Sequence, residues 1–200
     1  MQRISADTRR EQLKAAALAV ISREGVAGAT TRAITAEAGM SLASFHYVYE
    51  SRDALLAEVL QAGLEIELAM VRATFDPALP LIDAARAAMY AYLDYLKQRP
   101  EIEQGLLELI LYGMRRPHMS QMPLDVYQHY YAAAEAIFTE AASEIGIRWN
   151  RPLREIAEVV VALNDGIALA WLSTRDDALA LRLANAAAEL LASMAVQDDL

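Results

Sequence analysis

The sequence predicts an all-α protein of about nine helices, and three observations support this class. Of the 200 residues, 56% are hydrophobic, and many of these are alanine and leucine, which favour helices. Only 8 glycines and 6 prolines are present. Apolar residues recur at helical spacing, whereas no run of β-branched residues alternates with a period of two, so strands have little support.

The composition also excludes several classes of protein. Cysteine is absent, which excludes disulfides, thiolate metal ligands and cysteine nucleophiles. Residues 1–7 contain no apolar segment of the kind found in a signal peptide. The longest apolar stretches are interrupted by charged residues before they reach the roughly 20 residues that span a membrane. We therefore expect a soluble cytoplasmic protein that does not contact a membrane.

The negative charge is confined to the larger C-terminal part of the chain. The net charge is −9. Residues 1–60 contain seven Lys and Arg and seven Asp and Glu, so the remaining residues carry the whole excess. The N-terminal part is electrically neutral rather than basic, and its charge alone does not predict nucleic-acid binding.

Capping and stop residues divide the N-terminal part into four helices. Thr8 and Glu11 have the spacing of a capping box, and an apolar face runs from Leu13 to Ile21. Gly25 is a stop signal for this helix. The N-caps expected for the second, third and fourth helices are Thr30 or Thr31, Ser41 and Ser51.

Proline and polar breaks separate five further helices in the rest of the chain. Apolar residues recur at intervals of three and four from residue 82 to residue 194. The segment 117–123 is the clearest internal loop. Further breaks lie at 76–80, near Pro100, near Pro152 and at Thr174–Asp177, where a second capping-box spacing opens the last helix.

Residues 30–47 carry the pattern of a helix-turn-helix motif, in which the second short helix enters the major groove of DNA. The two short helices flank the turn formed by residues 39–41. The apolar positions that would lock the helices together are Ile34, Ala38, Met40 and Phe45. The positions that would face outwards are Arg32, Leu42, Ala43, Ser44 and Tyr47. These outward residues either permit a close approach to DNA or form hydrogen bonds with it.

Residues 30–56 resemble the signature of the TetR family of transcriptional repressors. They match the pattern T-T-x-x-I-A-x-x-A-G-V-S-x-x-x-L-Y-x-H-F-x-S-K-x-x-L-L. The resemblance implies a three-helix DNA-binding domain in residues 1–52 and a helical ligand-binding and dimerisation domain in residues 53–200. It also implies a repressor that binds a palindromic operator as a homodimer and is released by a small-molecule effector.

The resemblance assigns roles in DNA binding to individual residues. Thr31 and Ser44 are expected to contact phosphates, and Arg32 to reach a base edge, since arginine pairs with guanine O6 and N7. Arg52 replaces the usual lysine at the start of the fourth helix and is expected to meet only phosphate. The complete predicted DNA-binding set is Thr30, Thr31, Arg32, Ser41, Leu42, Ala43, Ser44, His46, Tyr47 and Arg52.

Two positions depart from the family pattern. His46 stands where the family has a tyrosine that bonds phosphate, and Val48 stands where it has a histidine. His46 can still donate one hydrogen bond, so a phosphate contact survives. Because histidine titrates near neutral pH, this contact would make DNA binding mildly pH-dependent. Leu42 and Ala43 would lie against base edges, and Tyr47 against the backbone or the bases.

Other classes of protein fit the sequence less well. A purely structural interpretation treats residues 1–60 as a small helical core with Thr and Ser as caps, but it does not explain why the outward face of the third helix lacks Glu and Lys. An enzyme is disfavoured, because the chain has no His-Glu-x-x-His motif, phosphate-binding glycine loop or Gly-x-Ser-x-Gly motif. The 3 histidines have unrelated spacing, so we expect neither a metal nor a cofactor. A helical bundle that does not bind DNA would have no use for Arg32 and Arg52.

The last two helices offer more apolar surface than a small monomer readily covers. Two such helices from each subunit would form a four-helix bundle. In the alternative, the same residues face the subunit's own core. The residues predicted at the dimer interface are Val159, Val160, Leu163, Ile167, Leu179, Leu183 and Leu190.

The predicted effector pocket lies among methionine and aromatic residues of the C-terminal part, although such residues at helical spacing are usually ordinary core. Asn164 and Asp165 are stronger candidates, because polar residues within an apolar helix need partners if they are buried. In the alternative, both face solvent. His118 and His129 are expected to be exposed. The predicted ligand-binding set is Met89, Tyr92, Met114, Tyr127, Tyr130, Phe138, Asn164, Asp165 and Trp171.

Overall fold

Nine α-helices and one short two-stranded ribbon make up residues 5–197, the part of the chain that this computed structural model describes. The all-α class and the helix count predicted from the sequence are confirmed over this range. Residues 1–4, which belong to the predicted DNA-binding domain, and residues 198–200 lie outside it. The helices are α1 (Ala6–Gly28), α2 (Thr31–Glu37), α3 (Leu42–Val48), α4 (Arg52–Ala73), α5 (Leu81–Gln98), α6 (Pro100–Met114), α7 (Gln121–Ile145), α8 (Leu153–Thr174) and α9 (Asp177–Ser193).

The described residues divide into two compact units. The first contains the residues up to Glu65 together with Pro100–Val126, and the second contains Ile66–Arg99 and the residues from Tyr127 onwards. The predicted boundary between residues 52 and 53 differs from this division. The whole of α6 and the first part of α4 group with α1, α2 and α3, and the sequence pattern alone gave no sign of this.

Helix α1 is the scaffold of the first unit and packs against α2, α3 and α6. Its N-cap is Ser5, whose Oγ accepts a hydrogen bond from the Thr8 backbone N–H at 3.0 Å. The prediction that Thr8 is the N-cap is wrong, because the helix begins earlier and Thr8 lies within its first turn. The apolar face was predicted correctly, since the buried residues include Leu13, Ala16, Ala17, Val20 and Ile21.

A left-handed residue interrupts α1 near its end. Gly25 has φ 74° and ψ 173°, which agrees with its prediction as a stop signal, although one more turn follows it. A positive φ favours glycine, because other residues are strained there. A Cβ at this position would also lie 2.9 Å from Oε2 of Glu108 on α6. Glycine is therefore required at this kink by both backbone conformation and space.

Helix α9 is the centre of the second unit, where α5 and α8 pack against it. It contributes a series of buried alanines to two apolar clusters. The first cluster also draws on α5 and α8, and it contains Met89, Tyr92, Leu93, Leu96, Ile167, Ala168, Trp171, Ala180, Ala184 and Ala187. The second cluster contains Ala85, Phe138, Ile156, Ala157, Ala188, Leu191 and Met194.

Three local features of the chain differ from the sequence-based expectation. Strands β1 (Ile147–Trp149) and β2 (Ala195–Gln197) pair antiparallel, although strands had little support. Three residues are too few to show an alternating pattern. The N-cap of α9 is Asp176 rather than Thr174, since Asp176 Oδ1 accepts from the Leu179 N–H at 2.9 Å. The predicted loop 117–123 is a short 3-10 turn, and α7 already begins within it.

Helix α8 is long and apolar enough to cross a membrane by length and composition, with a mean hydropathy of 1.5. This corrects the prediction that charged residues interrupt every such stretch. The core helix of a soluble protein passes the same test. In the second unit, α8 buries Ile156, Ala157, Val161, Ile167, Ala168 and Trp171.

Candidate DNA-binding surface and effector site

The helix-turn-helix is formed by α2 and α3 and by the tight turn between them. Thr30 caps α2, accepting a hydrogen bond from the Ala33 N–H at 3.1 Å. Ser41 caps α3 in the same way, accepting from the Ser44 N–H at 3.1 Å. Gly39 supplies the turn with φ 63°, a conformation that glycine adopts without strain. The caps predicted at Thr30 and Ser41 are confirmed.

Helix α3 is anchored by one fully buried aromatic side chain. Phe45 has no exposed surface and lies 5.7 Å, between ring centroids, from the buried Tyr49. The Tyr49 hydroxyl donates a hydrogen bond of 2.8 Å to Glu58 on α4, and Glu58 also pairs with Arg10 on α1. Burial and this hydrogen bond raise the pKa of Tyr49. The orientation of α3 is therefore fixed by contacts on one face alone.

The opposite face of α3 is open to solvent and carries no carboxylate. Leu42 is 45% exposed and Tyr47 is 69% exposed, and Ala43 and His46 are exposed as well. Arg32 on α2 is exposed, and its guanidinium forms no hydrogen bond or ion pair with the described residues. The other predicted DNA contacts are exposed at Thr30 and Ser41 and half-buried at Thr31 and Ser44.

Arg52 differs from the rest of the predicted set, because its side chain is directed into the first unit. Its Nε donates to the Ala29 carbonyl at 2.5 Å, and its Nη1 donates to the Tyr112 hydroxyl at 2.6 Å. Its Nη2 donates to the Val26 carbonyl. Only 21% of the side chain is exposed. The geometry thus does not support the prediction that Arg52 meets only phosphate, and it shows Arg52 holding the joint between α1 and α2.

A second arginine lies beside the exposed face of α3. The Arg9 guanidinium carbon on α1 is 5.5 Å from the centroid of the Tyr47 ring, a cation–π contact. The sequence reasoning missed this residue. The adjacent pair Arg9 and Arg10 near the start of the first helix was the available signal.

The predicted ligand-binding residues do not form one group. Met89, Tyr92 and Trp171 lie in the first apolar cluster of the second unit. Phe138 lies in the second cluster, with its ring centroid 5.4 Å from that of Trp149. The prediction for Met114 is corrected, because this residue is 56% exposed at the end of α6 in the first unit. Its spacing resembled that of a core residue, but α6 turns the side chain outwards.

The polar members of the predicted set occupy a tyrosine-rich cluster in the second unit. The Tyr127 hydroxyl donates to Asp165 Oδ2 at 2.6 Å, and the Tyr130 hydroxyl donates to Glu67 Oε2 at 2.6 Å. The ring centroids of Tyr127 and Tyr130 are 6.2 Å apart. Burial raises the pKa of Asp165, although the hydrogen bond from Tyr127 opposes this shift. Glu67, which is 9% exposed, was not predicted, since an isolated glutamate on α4 has no sequence signal.

Asn164, adjacent to Asp165 on α8, carries a buried acceptor. Its Oδ1 is inaccessible to solvent and forms no hydrogen bond with the residues in the described range. The residue as a whole is half-buried, as is Asp165. The alternative that both polar residues simply face solvent therefore does not hold. Elsewhere, His118 and His129 are exposed, and His118 Nε2 lies 2.8 Å from Asp53 Oδ2 in the first unit.

The residues predicted at a dimer interface are mostly turned towards the second unit itself. Ile167 is 4% exposed and belongs to the first apolar cluster, so its prediction as an interface residue is corrected. Val159, Val160, Leu163, Leu179 and Leu183 are half-buried, and Leu190 is 41% exposed. The exposed apolar residues that the sequence reasoning missed are Leu169 on α8, at 60%, and Leu181 on α9, at 40%.

Comparison with known proteins agrees with the helix-turn-helix geometry. Residues 13–59 match the model of the tetR family of bacterial regulatory proteins. The HTH-type nicotine-responsive transcriptional repressor HdnoR of Paenarthrobacter nicotinovorans is 27% identical over 179 residues, which cover 88% of this chain and 89% of that protein.

Solved structures show the same fold over nearly the whole chain. A transcriptional regulator from Rhodococcus sp. Rha1 has a TM-score of 0.75 at 18% identity, covering 93% of this chain and 97% of its own. The multidrug binding protein EbrR complexed with malachite green has a TM-score of 0.64 at 25% identity, with coverages of 93% and 97%.

Together, the anchored recognition helix, the nine-helix fold and these similarities define a DNA-binding transcriptional regulator of the helix-turn-helix class. The chain belongs to the TetR family.

Proposed function

We propose that this regulator is a cytoplasmic repressor that binds a palindromic operator as a homodimer and leaves it when a small molecule binds in the second unit. The observation that carries the proposal is the asymmetry of α3. One face is locked by the buried Phe45, and the other exposes Leu42 and Tyr47 without a single carboxylate. Such a face can approach the phosphates of DNA without charge repulsion.

Within this proposal, each exposed residue has a defined role. Arg32 hydrogen-bonds to a base edge, and Leu42, Ala43 and Tyr47 lie against bases in the major groove. The phosphate contacts fall to Thr30, Thr31, Ser41, Ser44 and His46, with Arg9 beside Tyr47 as a further cation. Arg52 acts indirectly, because it positions the joint that carries α2 and α3.

Dimerisation is proposed through the exposed apolar residues of α8 and α9. Leu169, Leu181 and Leu190 are each at least 40% exposed, which is costly on a helix that meets only water. Gly166 lies on the exposed side of α8, and no atom lies within 4 Å of the Cβ that it lacks. A partner helix can thus approach closely at this point, and two readers would bind two half-sites.

A small-molecule effector is supported by the relatives and by the tyrosine-rich cluster. The relative from Paenarthrobacter nicotinovorans is named as nicotine-responsive, and EbrR is described as multidrug binding. In this chain, Asp165 and Asn164 place polar atoms inside an otherwise apolar helix, as expected for the few anchors of a mainly apolar pocket. Release from DNA requires that the effector bind the DNA-free state more tightly.

The DNA-binding part of the proposal is tested by placing a charge on the exposed face of α3. The Ala43→Glu variant is expected to lose at least about 100-fold in affinity for a duplex from the promoter of this gene, because a carboxylate would face the phosphates. The control Ala136→Glu adds the same charge on an exposed position of α7. Fluorescence anisotropy measures both. Equal affinity of the two variants would remove α3 as the DNA reader.

The effector part is tested on the full chain by thermal shift with a panel of small molecules. Compounds that raise the melting temperature are then added to the protein–operator complex. A compound that binds the second unit is expected to lower operator affinity. If every stabilising compound leaves the anisotropy of the complex unchanged, release by a ligand is wrong.

A further inference from the structure

We propose that Asp165, together with the rings of Tyr127 and Tyr130, binds an organic cation with an aromatic or apolar body. This inference rests on the proposed function in one respect, since it names the chemical class of the effector. It is carried by the surroundings of one carboxylate in the second unit.

Asp165 is a carboxylate without a cation. It lies in the middle of α8, a helix with a mean hydropathy of 1.5, and it is half-buried there. Its only hydrogen bond within residues 5–197 comes from the Tyr127 hydroxyl at 2.6 Å, and it forms no ion pair in that range. A partly desolvated carboxylate gains more from a positive partner than an exposed one does.

The hydrogen-bonding capacity that remains around Asp165 is that of an acceptor. A carboxylate offers about four lone-pair sites, and Tyr127 fills one of them. The single O–H groups of Tyr127 and Tyr130 already donate to Asp165 and Glu67. Asn164, the preceding residue on α8, has a buried Oδ1 that accepts nothing from the described residues. A ligand that completes these groups must therefore bring donors or a positive charge.

The walls of the cluster are aromatic. The ring centroid of Tyr127 lies 6.2 Å from that of Tyr130 and 6.0 Å from that of Tyr131. The face of Tyr131 already holds a cation of the protein, since the Arg154 guanidinium carbon is 4.4 Å from its centroid. Tyr127 and Tyr130 have no such contact among those described. Aromatic faces beside a carboxylate are a typical environment for an organic ammonium or iminium group.

A purely structural role for Asp165 is the competing explanation, and charge separates the two. A structural hydrogen bond to Tyr127 is also made by asparagine, whereas attraction for a cation is not. The Asp165→Asn variant therefore keeps the shape and the acceptor and removes only the charge. Asp94→Asn is the matched control, because Asp94 is an exposed aspartate of α5 in the same unit.

The test is direct binding to the full-length protein without DNA. Ethidium and the smaller benzyltrimethylammonium serve as permanent cations, phenanthridine as a neutral probe and anilinonaphthalene sulfonate as an anionic one, each measured by fluorescence or calorimetry. Asp165→Asn is expected to weaken cation binding by at least about tenfold. Asp94→Asn should leave it within about twofold, and Asp165→Glu should retain most of it because the charge is kept.

Three results would overturn the inference. These are binding of neither cation to the wild-type protein, equal affinities in Asp165→Asn and Asp94→Asn, and an equal loss for the neutral probe, which would indicate shape rather than charge. Operator release is measured separately. A ligand that releases DNA but is insensitive to Asp165→Asn would leave the repressor proposal standing and remove this one. Cations that bind through Asp165 without affecting DNA would do the reverse.

Discussion

Oε1 of Glu108 on α6 accepts a hydrogen bond of 3.0 Å from the backbone N–H of Val26, the residue that follows the left-handed Gly25 of α1. The carbonyl of the same residue accepts from Arg52 at the start of α4. Both backbone groups of one residue at the kink are therefore held by side chains from other helices. The joint that precedes the helix-turn-helix is fixed from two sides within the first unit.

Removing the Glu108 carboxylate should loosen this joint. Glu108→Ala leaves the Val26 N–H without its acceptor, and we expect the free energy of unfolding to fall by about 1 kcal/mol. Glu108→Gln should lose much less, since an amide oxygen still accepts. Urea denaturation followed by circular dichroism measures the difference. Equal stability of the alanine and glutamine variants would mean that the hydrogen bond contributes nothing.

Arg52 and Arg32 should differ in what their loss affects. Arg52→Ala breaks contacts with Ala29, Val26 and Tyr112, so it should lower stability as well as affinity for operator and scrambled DNA alike. Arg32→Ala should leave the melting temperature unchanged and cost about 1–3 kcal/mol of discrimination per half-site. Arg72→Ala is an exposed control on α4.

Anisotropy with both DNAs over a salt series, combined with thermal unfolding, separates these effects. Phosphate contact by Arg52 alone would instead lower the salt slope by roughly one unit per contact without affecting the melting temperature. An equal loss on both DNAs for Arg32→Ala would make Arg32 a backbone contact.

Dimerisation should depend on exposed rather than half-buried leucines. Leu169→Glu is expected to give folded monomers, because the side chain is 60% exposed and carries no core packing. Leu163→Glu should reduce folding itself, since Leu163 packs against the first apolar cluster. Leu111 on α6 is also 60% exposed, so Leu111→Glu is a matched control that should remain dimeric. Sedimentation velocity at micromolar concentration decides, and a monomeric wild-type protein would contradict the proposal.

The ionisation of Asp165 should make the protein less stable at neutral pH than its amide variant. Burial raises the pKa of Asp165 above its ordinary value of 3.8, so the folded protein binds this proton more tightly than the unfolded chain does. Stability from this group is therefore lost as pH rises from the unfolded pKa through the folded pKa. Asp165→Asn should unfold at higher urea than the wild type at pH 7, and this advantage should shrink towards pH 4. An advantage that grew as the pH fell would contradict the raised pKa, and Asp94→Asn again serves as the control.

Much of the fold could be predicted because its signals are local. The caps at Thr30 and Ser41 and the apolar face of α1 depend on residues a few positions apart, and the structure confirms them. The helix-turn-helix followed from the same kind of pattern. Prediction failed wherever the outcome depended on a distant partner. Arg52 is exposed in any local view of α4 and turns inwards only because carbonyls of α1 and a hydroxyl of α6 lie within reach.

The faces of helices in the second unit show the same limit. Periodicity identified α8 and α9 as amphipathic, but it did not distinguish the side of α8 that meets its own core from the side that is left exposed. Ile167 and Leu169 are two residues apart and equally apolar, yet one is 4% and the other 60% exposed. Likewise, Asp165 was predicted from its polarity within an apolar helix, whereas its partner Tyr127 lies 38 residues earlier.

The ribbon of β1 and β2 has a consequence for α8 and α9, which lie between its strands in the chain. Arg148 is paired in register with Val196, and Asn150 adds hydrogen bonds from its backbone N–H to the Met194 carbonyl and from its side chain to the Ser193 carbonyl. The two helices thus form a closed loop with a clasp at its base. Opening the clasp restores conformational entropy to everything inside the loop. Changes at three short strand residues should therefore be felt by two whole helices, which would fray together rather than one after the other.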